Sequence, residues 1–159
     1  MGRKLKIGVL GPNQVDSEQY ALGHRVGECI ARADAVLFCG GLAGMMEAAC
    51  AGARSAGGQT VGMLPGSDGD QANEFVDLPI PTGLGPFRNA LLVQVCDAVI
   101  AIHGAYGTLS EIAFALRLGV PVVGLDTWSL ARGGHADEGI HVAHDPQDAV
   151  DQAVRLAKR

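Results

Sequence analysis

Residues 97–111 read DAVIAIHGAYGTLSE, and this stretch decides the fold class. The run from Ala98 to Ile102 is apolar throughout, which is typical of a strand that helices cover on both faces. Two glycines follow it, and a helix is predicted over 109–118. A buried strand that passes through a glycine-rich turn into a helix is the repeating unit of layered α/β proteins.

The same order of elements is found on both sides of this stretch. Apolar runs predict strands, and apolar residues at helical spacing predict helices. Residues 129–139 show neither pattern and are predicted to form a mobile loop. The pattern predicts a Rossmann-like, doubly wound, mostly parallel sheet with helices on both faces. A chain of 159 residues has the length of one domain, so one domain is expected over 1–159. The predicted strands are 5–10, 35–39, 60–64, 74–78, 97–102 and 121–125, and the predicted helices are 18–33, 45–56, 86–95, 109–118 and one that begins at Pro146 behind Asp145.

Composition and charge exclude several classes of protein. With 48% hydrophobic and 18% charged residues, disorder is not expected. The net charge of −5 argues against a nucleic-acid partner. No apolar run has transmembrane length and the first ten residues do not form a signal peptide, so a cytoplasmic protein without membrane contact is expected. The four cysteines form no CxxC pair and are predicted to be buried free thiols, and no metal site is expected.

Three glycine-rich segments lie at the predicted carboxyl ends of strands, where open parallel sheets bind ligands. Glycine allows the backbone to approach a ligand, and a helix N-terminus attracts phosphate. Tight turns also favour glycine, but two such loops at one sheet edge favour a phosphate site. Neither GxGxxG nor the P-loop pattern is present. The predicted ligand-binding residues are Gly11 and Pro12 in the first segment, Gly40, Gly41, Gly44 and Met45 in the second, and Gly104, Ala105, Tyr106, Gly107 and Thr108 in the third.

Two charged residues near these loops each allow two interpretations. Thr108 and Glu111 match the capping box S/T-x-x-E, so Glu111 either closes the start of a helix or acts on a ligand. Arg88 lies in a stretch without other charges, and it is either a solvated surface residue or a bidentate ligand for an anion. Spacing alone leaves both questions open.

The glycine loops resemble those of the Lonely Guy phosphoribohydrolases and their relatives, which are also called putative lysine decarboxylases. Residues 103–111, HGAYGTLSE, are similar to the motif PGGxGTxxE, and residues 40–48, GGLAGMMEA, are similar to the earlier glycine loop of these proteins. The resemblance extends over roughly 6–128 and is strongest to the subgroup that contains the molybdenum cofactor carrier proteins. Pro81-Thr82-Gly83 and Arg88-Asn89 also resemble that subgroup.

The resemblance implies a Rossmann-like fold, a homodimer or homotetramer, and catalytic roles for Arg88 and Glu111 in a hydrolase. The hydrolases usually have Lys where Asn89 stands, and their motif has Pro and Gly where His103 and Ala105 stand. The missing lysine favours binding over hydrolysis. The first expectation is therefore a protein that binds a phosphorylated heterocycle, with a nucleotide or the molybdenum cofactor as the bound molecule. The alternatives are a nucleoside 5′-monophosphate phosphoribohydrolase and an interaction protein that retains an ancestral pocket. Decarboxylation has no support, since no lysine lies in the three loops.

Overall fold

Buried aliphatic strands form one parallel sheet at the centre of the molecule. The computed structural model describes residues 2–158. The sheet has seven strands in the order β4-β3-β2-β1-β5-β6-β9, and every neighbouring pair is parallel. The strands are β1 (Lys6–Leu10), β2 (Val36–Cys39), β3 (Gln59–Leu64), β4 (Leu78–Pro81), β5 (Ala98–Ile102), β6 (Val122–Leu125) and β9 (Ile140–Val142), while β7 (Leu130–Arg132) and β8 (His135–Asp137) form a separate antiparallel hairpin.

Five helices cover the two faces of the sheet. Buried side chains of α1, α2 and α5 pack on one face, and those of α3 and α4 pack on the other. This arrangement confirms the prediction of a Rossmann-like, doubly wound fold. The four cysteines are buried free thiols, as predicted. No helix within residues 2–158 is both long and apolar enough to cross a bilayer. The helices are α1 (Ser17–Arg32), α2 (Met45–Ser55), α3 (Arg88–Val95), α4 (Tyr106–Leu118) and α5 (Pro146–Ala157).

The strand order reverses at β1, and this reversal places the candidate site. β1 pairs with β2 on one side and with β5 on the other, so the chain leaves the centre of the sheet in two directions. The connections after β1 and β5 therefore diverge at the carboxyl edge and leave a crevice between them.

Two predictions of local structure are wrong. No strand forms over 74–77, because the side chain and carbonyl of Asn73 accept hydrogen bonds from the amides of Phe75 and Val76 and form a turn there. The strand begins at Leu78 instead and contains two prolines, which an edge strand tolerates. The predicted loop 129–139 contains the β7–β8 hairpin, which closes at Gly133-Gly134, a dipeptide suited to two-residue turns. The short strand β9 was not predicted, since its three residues carry no distinctive pattern.

A buried threonine fixes the segment that leads into β4. The Oγ1 atom of Thr60 donates to the carbonyl of Phe75 at 2.6 Å and accepts from the amide of Asp77 at 2.8 Å. The amide of Thr60 donates to the Asp77 carboxylate at 2.9 Å. Thr60 is only 1% exposed, so its own hydroxyl and amide depend on these bonds rather than on water.

We expect Thr60→Val to lower the free energy of unfolding by about 1–3 kcal/mol, because the carbonyl of Phe75 and the amide of Asp77 lose their hydrogen-bond partner. Valine has nearly the shape of threonine, so the effect does not include a cavity. Urea denaturation measures it, and Thr60→Ser, which keeps the hydroxyl, is the control. A valine variant as stable as the parent would show that the Thr60 bonds contribute nothing.

Candidate active site at the carboxyl edge of the sheet

The loop after β5 presents a row of free amide groups. Helix α4 begins at Tyr106, its N-cap is Ala105, and no side chain caps it. Leu109 is the first residue whose amide donates to a backbone carbonyl, that of Ala105. Within residues 2–158, the amides from Gly104 to Thr108 have no hydrogen-bond acceptor. Free amides at a helix start, together with the helix dipole, favour an anion.

Gly104 is required for this loop. Its φ is +106°, a backbone conformation that other residues rarely adopt, and an added Cβ atom would overlap the side chain of Thr108. Thr108 itself is 3% exposed, so it has little room to move. The loop therefore turns tightly from β5 into α4.

The capping-box interpretation of Glu111 is wrong. Thr108 lies inside α4 instead of at its N-cap, so Glu111 is six residues beyond the cap and past the free amides. Its side chain is 9% exposed and makes no hydrogen bond or ion pair within residues 2–158. Burial raises the pKa of the Glu111 carboxyl to about 7, and the charge of Arg88 opposes this rise. The carboxyl is therefore close to half protonated near neutral pH.

Arg88 is held in place by two strand ends. Its Nη1 atom donates to the carbonyl of Gly40 at 2.7 Å and to that of Met63 at 2.8 Å. Its Nε atom is buried and has no partner within residues 2–158. Burial lowers the pKa of Arg88, and the nearby Glu111 carboxyl counteracts this effect. An added Cβ atom at Gly40 would overlap Nη1, so the guanidinium group needs a glycine at that position.

These groups line one cavity of about 300 Å³. It contains seven of the predicted site residues, and it brings a cation, a buried carboxyl and the free amides of the loop into one space. Three further lining residues, Asn13, Met46 and Pro86, were not predicted from the sequence. The lining residues are Gly11, Pro12, Asn13, Met46, Pro86, Arg88, Asn89, Ala105, Gly107, Thr108 and Glu111.

The glycine loop after β2 lies behind this cavity instead of lining it. The amide of Met45 donates to the carbonyl of Pro12 at 2.9 Å, and the Met45 side chain is fully buried. The amide of Asn73 donates to the carbonyl of Gly41 at 2.9 Å, and the Asn73 side chain donates to that of Leu42. These contacts hold the loop against its neighbours. Direct ligand binding by Gly40, Gly41, Gly44 and Met45 stays a prediction.

A second cavity, of about 540 Å³, adjoins the first. The two share Pro12 and Ala105, and Gly104 lines the second one. Tyr106 is 80% exposed, and its ring lies 5.8 Å from that of Trp128. Asp126, Thr127 and Trp128 follow directly after β6, so the rule that ligands bind beyond strand ends would have pointed to them. The lining residues are Pro12, Gln14, Gln19, His103, Gly104, Ala105, Asp126, Thr127 and Trp128.

Asn89 occupies the position that the hydrolases usually fill with lysine. Its Nδ2 atom donates to the Ser110 hydroxyl at 3.1 Å, and that hydroxyl donates to the carbonyl of Gly107 at 2.7 Å. Asn89 therefore braces the start of α4 and adds no charge to the cavity.

Comparison with known proteins finds relatives that match nearly the whole chain. Residues 4–150 match the model of the SLOG cluster4 family. An uncharacterized protein of Archaeoglobus fulgidus is 41% identical over 150 residues, which cover 94% of this chain and 95% of that protein. The molybdenum cofactor binding protein of the phototrophic bacterium Rippkaea orientalis superimposes with a TM-score of 0.87 at 33% identity, covering 97% of this chain and 98% of that one. The Moco carrier protein of Chlamydomonas reinhardtii has a TM-score of 0.84 at 34% identity, with 98% and 99% coverage.

We expect Glu111→Gln to become more stable relative to the parent as the pH rises from 5 to 8. The Glu111 carboxyl has a pKa of about 7 in the folded protein and of 4.5 as a free side chain, so the folded state binds its proton more tightly. The parent therefore loses stability as the pH rises from 4.5 through about 7, because its folded state gives up this proton. The glutamine side chain does not titrate, so the variant has no such loss. The relative gain should reach about 2–3 kcal/mol at pH 8, measured by denaturation at several pH values.

Glu138→Gln, in an exposed loop, is the matched control and should show no such trend. If the stability difference between Glu111→Gln and the parent stayed constant from pH 5 to 8, the Glu111 carboxyl would already be ionised at pH 5.

Proposed function

Because the chain belongs to the SLOG cluster4 family, we propose that it binds a phosphorylated heterocycle, nucleotide-like or pterin-like, and carries it without cleaving it. The observation that carries this proposal is that Ala105, Gly107 and Thr108, whose amides are free, line one cavity together with Arg88. The resemblance to the molybdenum cofactor carrier proteins, now supported by the family match and the superpositions, makes the molybdenum cofactor one candidate for the carried molecule.

The phosphate group has a defined place in this proposal. The amides of Gly104 to Thr108 would donate hydrogen bonds to its oxygens, as free amides at other helix N-termini do. Arg88 supplies a positive charge whose position is fixed by the carbonyls of Gly40 and Met63. The phosphate of a phosphorylated pterin fits this donor set as well as that of a nucleotide does, because both present the same dianion.

Asn89 favours a carrier over an enzyme. A lysine at this position would place a second cation beside Arg88, whereas the Asn89 amide is hydrogen-bonded to Ser110. One fixed cation and a set of amides suffice to bind a phosphate, but the site lacks the additional charge of the related hydrolases. The expected cytoplasmic location, homo-oligomeric state and absence of nucleic-acid and membrane partners stay predictions.

We expect Arg88→Ala to weaken the binding of AMP and GMP by about ten- to a hundredfold, and that of adenosine and guanosine little, because the guanidinium contacts the phosphate. Arg88→Lys should restore part of the affinity, since an ammonium group cannot form the bidentate contact. Gly40→Ala should cause a similar loss by displacing Nη1. Titration calorimetry with each nucleotide and its nucleoside measures these effects.

Gly69→Ala is the matched control, because the nearest atom to its added Cβ lies at an ordinary contact distance of 3.7 Å. If Arg88→Ala weakened nucleotide and nucleoside binding equally, Arg88 would be a structural residue and would not be the phosphate ligand.

A second candidate function is hydrolysis of the N-glycosidic bond of a nucleoside 5′-monophosphate, which adds water and releases the free base and ribose 5-phosphate. The observation that favours it is the buried Glu111 carboxyl, whose pKa of about 7 suits proton transfer at neutral pH. In that reaction Glu111 would orient the water or stabilise positive charge on the ribose, as carboxylates do in glycoside hydrolysis.

If the protein is a carrier, the parent should release no adenine from AMP, and Asn89→Lys should release a measurable amount because it restores a cation. Adding Glu111→Gln to Asn89→Lys should then reduce release about 100-fold or more. Chromatography of released adenine measures all three proteins. Rapid cleavage of AMP by the parent would overturn the carrier proposal and establish the hydrolase.

A further inference from the structure

The larger cavity gives the proposed ligand a second contact region. We propose that this cavity holds the heterocyclic ring and that Asp126 selects a ring with two adjacent N–H donors, the 2-aminopyrimidin-4-one edge found in guanine and pterin. This inference rests on the proposed function, because it places the phosphate on the amides of 104–108. The two cavities meet at Pro12 and Ala105, so one ligand with a phosphate at one end can extend through both.

Trp128 provides a fixed aromatic wall. Its Nε1 atom donates to the carbonyl of Ala105 at 3.2 Å, which ties the indole to the loop between the two cavities. The indole ring lies 5.8 Å from the ring of Tyr106, with an angle of 36° between the two planes. A flat ring next to the phosphate site offers a stacking surface for a heterocycle, and stacking does not depend on which heterocycle is bound.

Asp126 provides the selective polar contact. It follows the last residue of β6, and its carboxylate makes no hydrogen bond or ion pair within residues 2–158. It is the one carboxylate among the residues that line this cavity. An ionised carboxylate accepts hydrogen bonds and donates none. A ring that presents two neighbouring N–H groups therefore gains two hydrogen bonds, whereas adenine presents a nitrogen lone pair beside its amino group.

The backbone holds this wall of the cavity in an uncommon conformation. His103 and Asp126 have φ values of +49° and +52°, and they stand at the ends of the adjacent strands β5 and β6. The Thr127 hydroxyl donates to the carbonyl of His103 and joins the two strand ends. Aspartate and histidine tolerate this conformation better than most residues. The backbone at Asp126 is thus held by the end of the sheet.

The charges of the two cavities are arranged in opposite senses. The first cavity offers Arg88 and the free amides of Gly107 and Thr108 to an anion, beside the buried Glu111 carboxyl, whereas the residues that line the second cavity include the Asp126 carboxylate and no lysine or arginine. A nucleotide with its base reversed would place its phosphate beside Asp126 and lose both interactions. The charge pattern therefore fixes the direction of the ligand as well as its class.

The test compares GMP, IMP, AMP and ribose 5-phosphate as probes by titration calorimetry. GMP differs from IMP only in the 2-amino group, and ribose 5-phosphate has no ring. We expect the parent to bind GMP at least tenfold more tightly than IMP or AMP. Asp126→Asn should reduce this preference to less than threefold and leave ribose 5-phosphate binding unchanged. Trp128→Ala should weaken GMP and IMP equally, and Trp128→Phe should retain part of the stacking.

Asp70→Asn, an exposed carboxylate outside both cavities, is the matched control and should change none of the four affinities. If ribose 5-phosphate binds but GMP, IMP and AMP have equal affinities, the ring inference is wrong and the phosphate site stands. If Asp126→Asn changes ribose 5-phosphate binding as much as GMP binding, the inference is also wrong. Failure of all four probes to bind would overturn both the inference and the proposed function.

Discussion

The guanidinium group of Arg88 connects elements that are far apart in the sequence. It lies at the start of α3, and it bonds to the carbonyls of Gly40, after β2, and Met63, within β3. The missing Cβ of Gly40 creates the space that Nη1 occupies. These contacts orient a cation toward the crevice at the reversal of strand order. Arg88 is also a neighbour of the buried Glu111, so its position affects the protonation of that carboxyl.

The crevice depends on differences between two glycine loops that look alike in the sequence. Both follow a strand and precede a helix, yet the loop after β5 borders the cavity with amides that have no acceptor within residues 2–158, whereas the loop after β2 lies behind the cavity. In the loop after β2, the amide of Met45 donates to the carbonyl of Pro12, and the carbonyl of Leu42 accepts from the side chain of Asn73. One loop therefore provides donors for a ligand, while the other provides the support for Arg88. Composition does not distinguish these roles, because partners from distant segments determine them.

The predicted fold agrees closely with the structure because long apolar runs and their connecting glycines are local signals. The strand from Ala98 to Ile102 and the glycine loop after it are visible in sequence for this reason. The start of α4 was predicted three residues too late, since Thr108 and Glu111 match a capping box that the tighter turn at Gly104 excludes. Asp126 was not predicted as a site residue. It reaches the site because β6 pairs with β5, and no single segment of the sequence shows how the strands are ordered in the sheet. The roles of Arg88 and Glu111 also stayed open in the sequence. Burial shifts the pKa of each group, and the sequence does not show which side chains are buried.

The sheet topology also determines when the crevice can form as the chain is made. β1 and β5 are neighbours, with Ile7 opposite Ala98, although about ninety residues separate them along the chain. Contacts between such distant segments are slow to form, because the intervening chain must lose much of its freedom first. On the ribosome, one edge of β1 stays unpaired until β5 has been synthesised, and the helix start that follows β5 emerges later still. The ligand-binding edge is thus completed late in folding, and a molecule that binds there stabilises the native chain only after most of the sheet has been assembled.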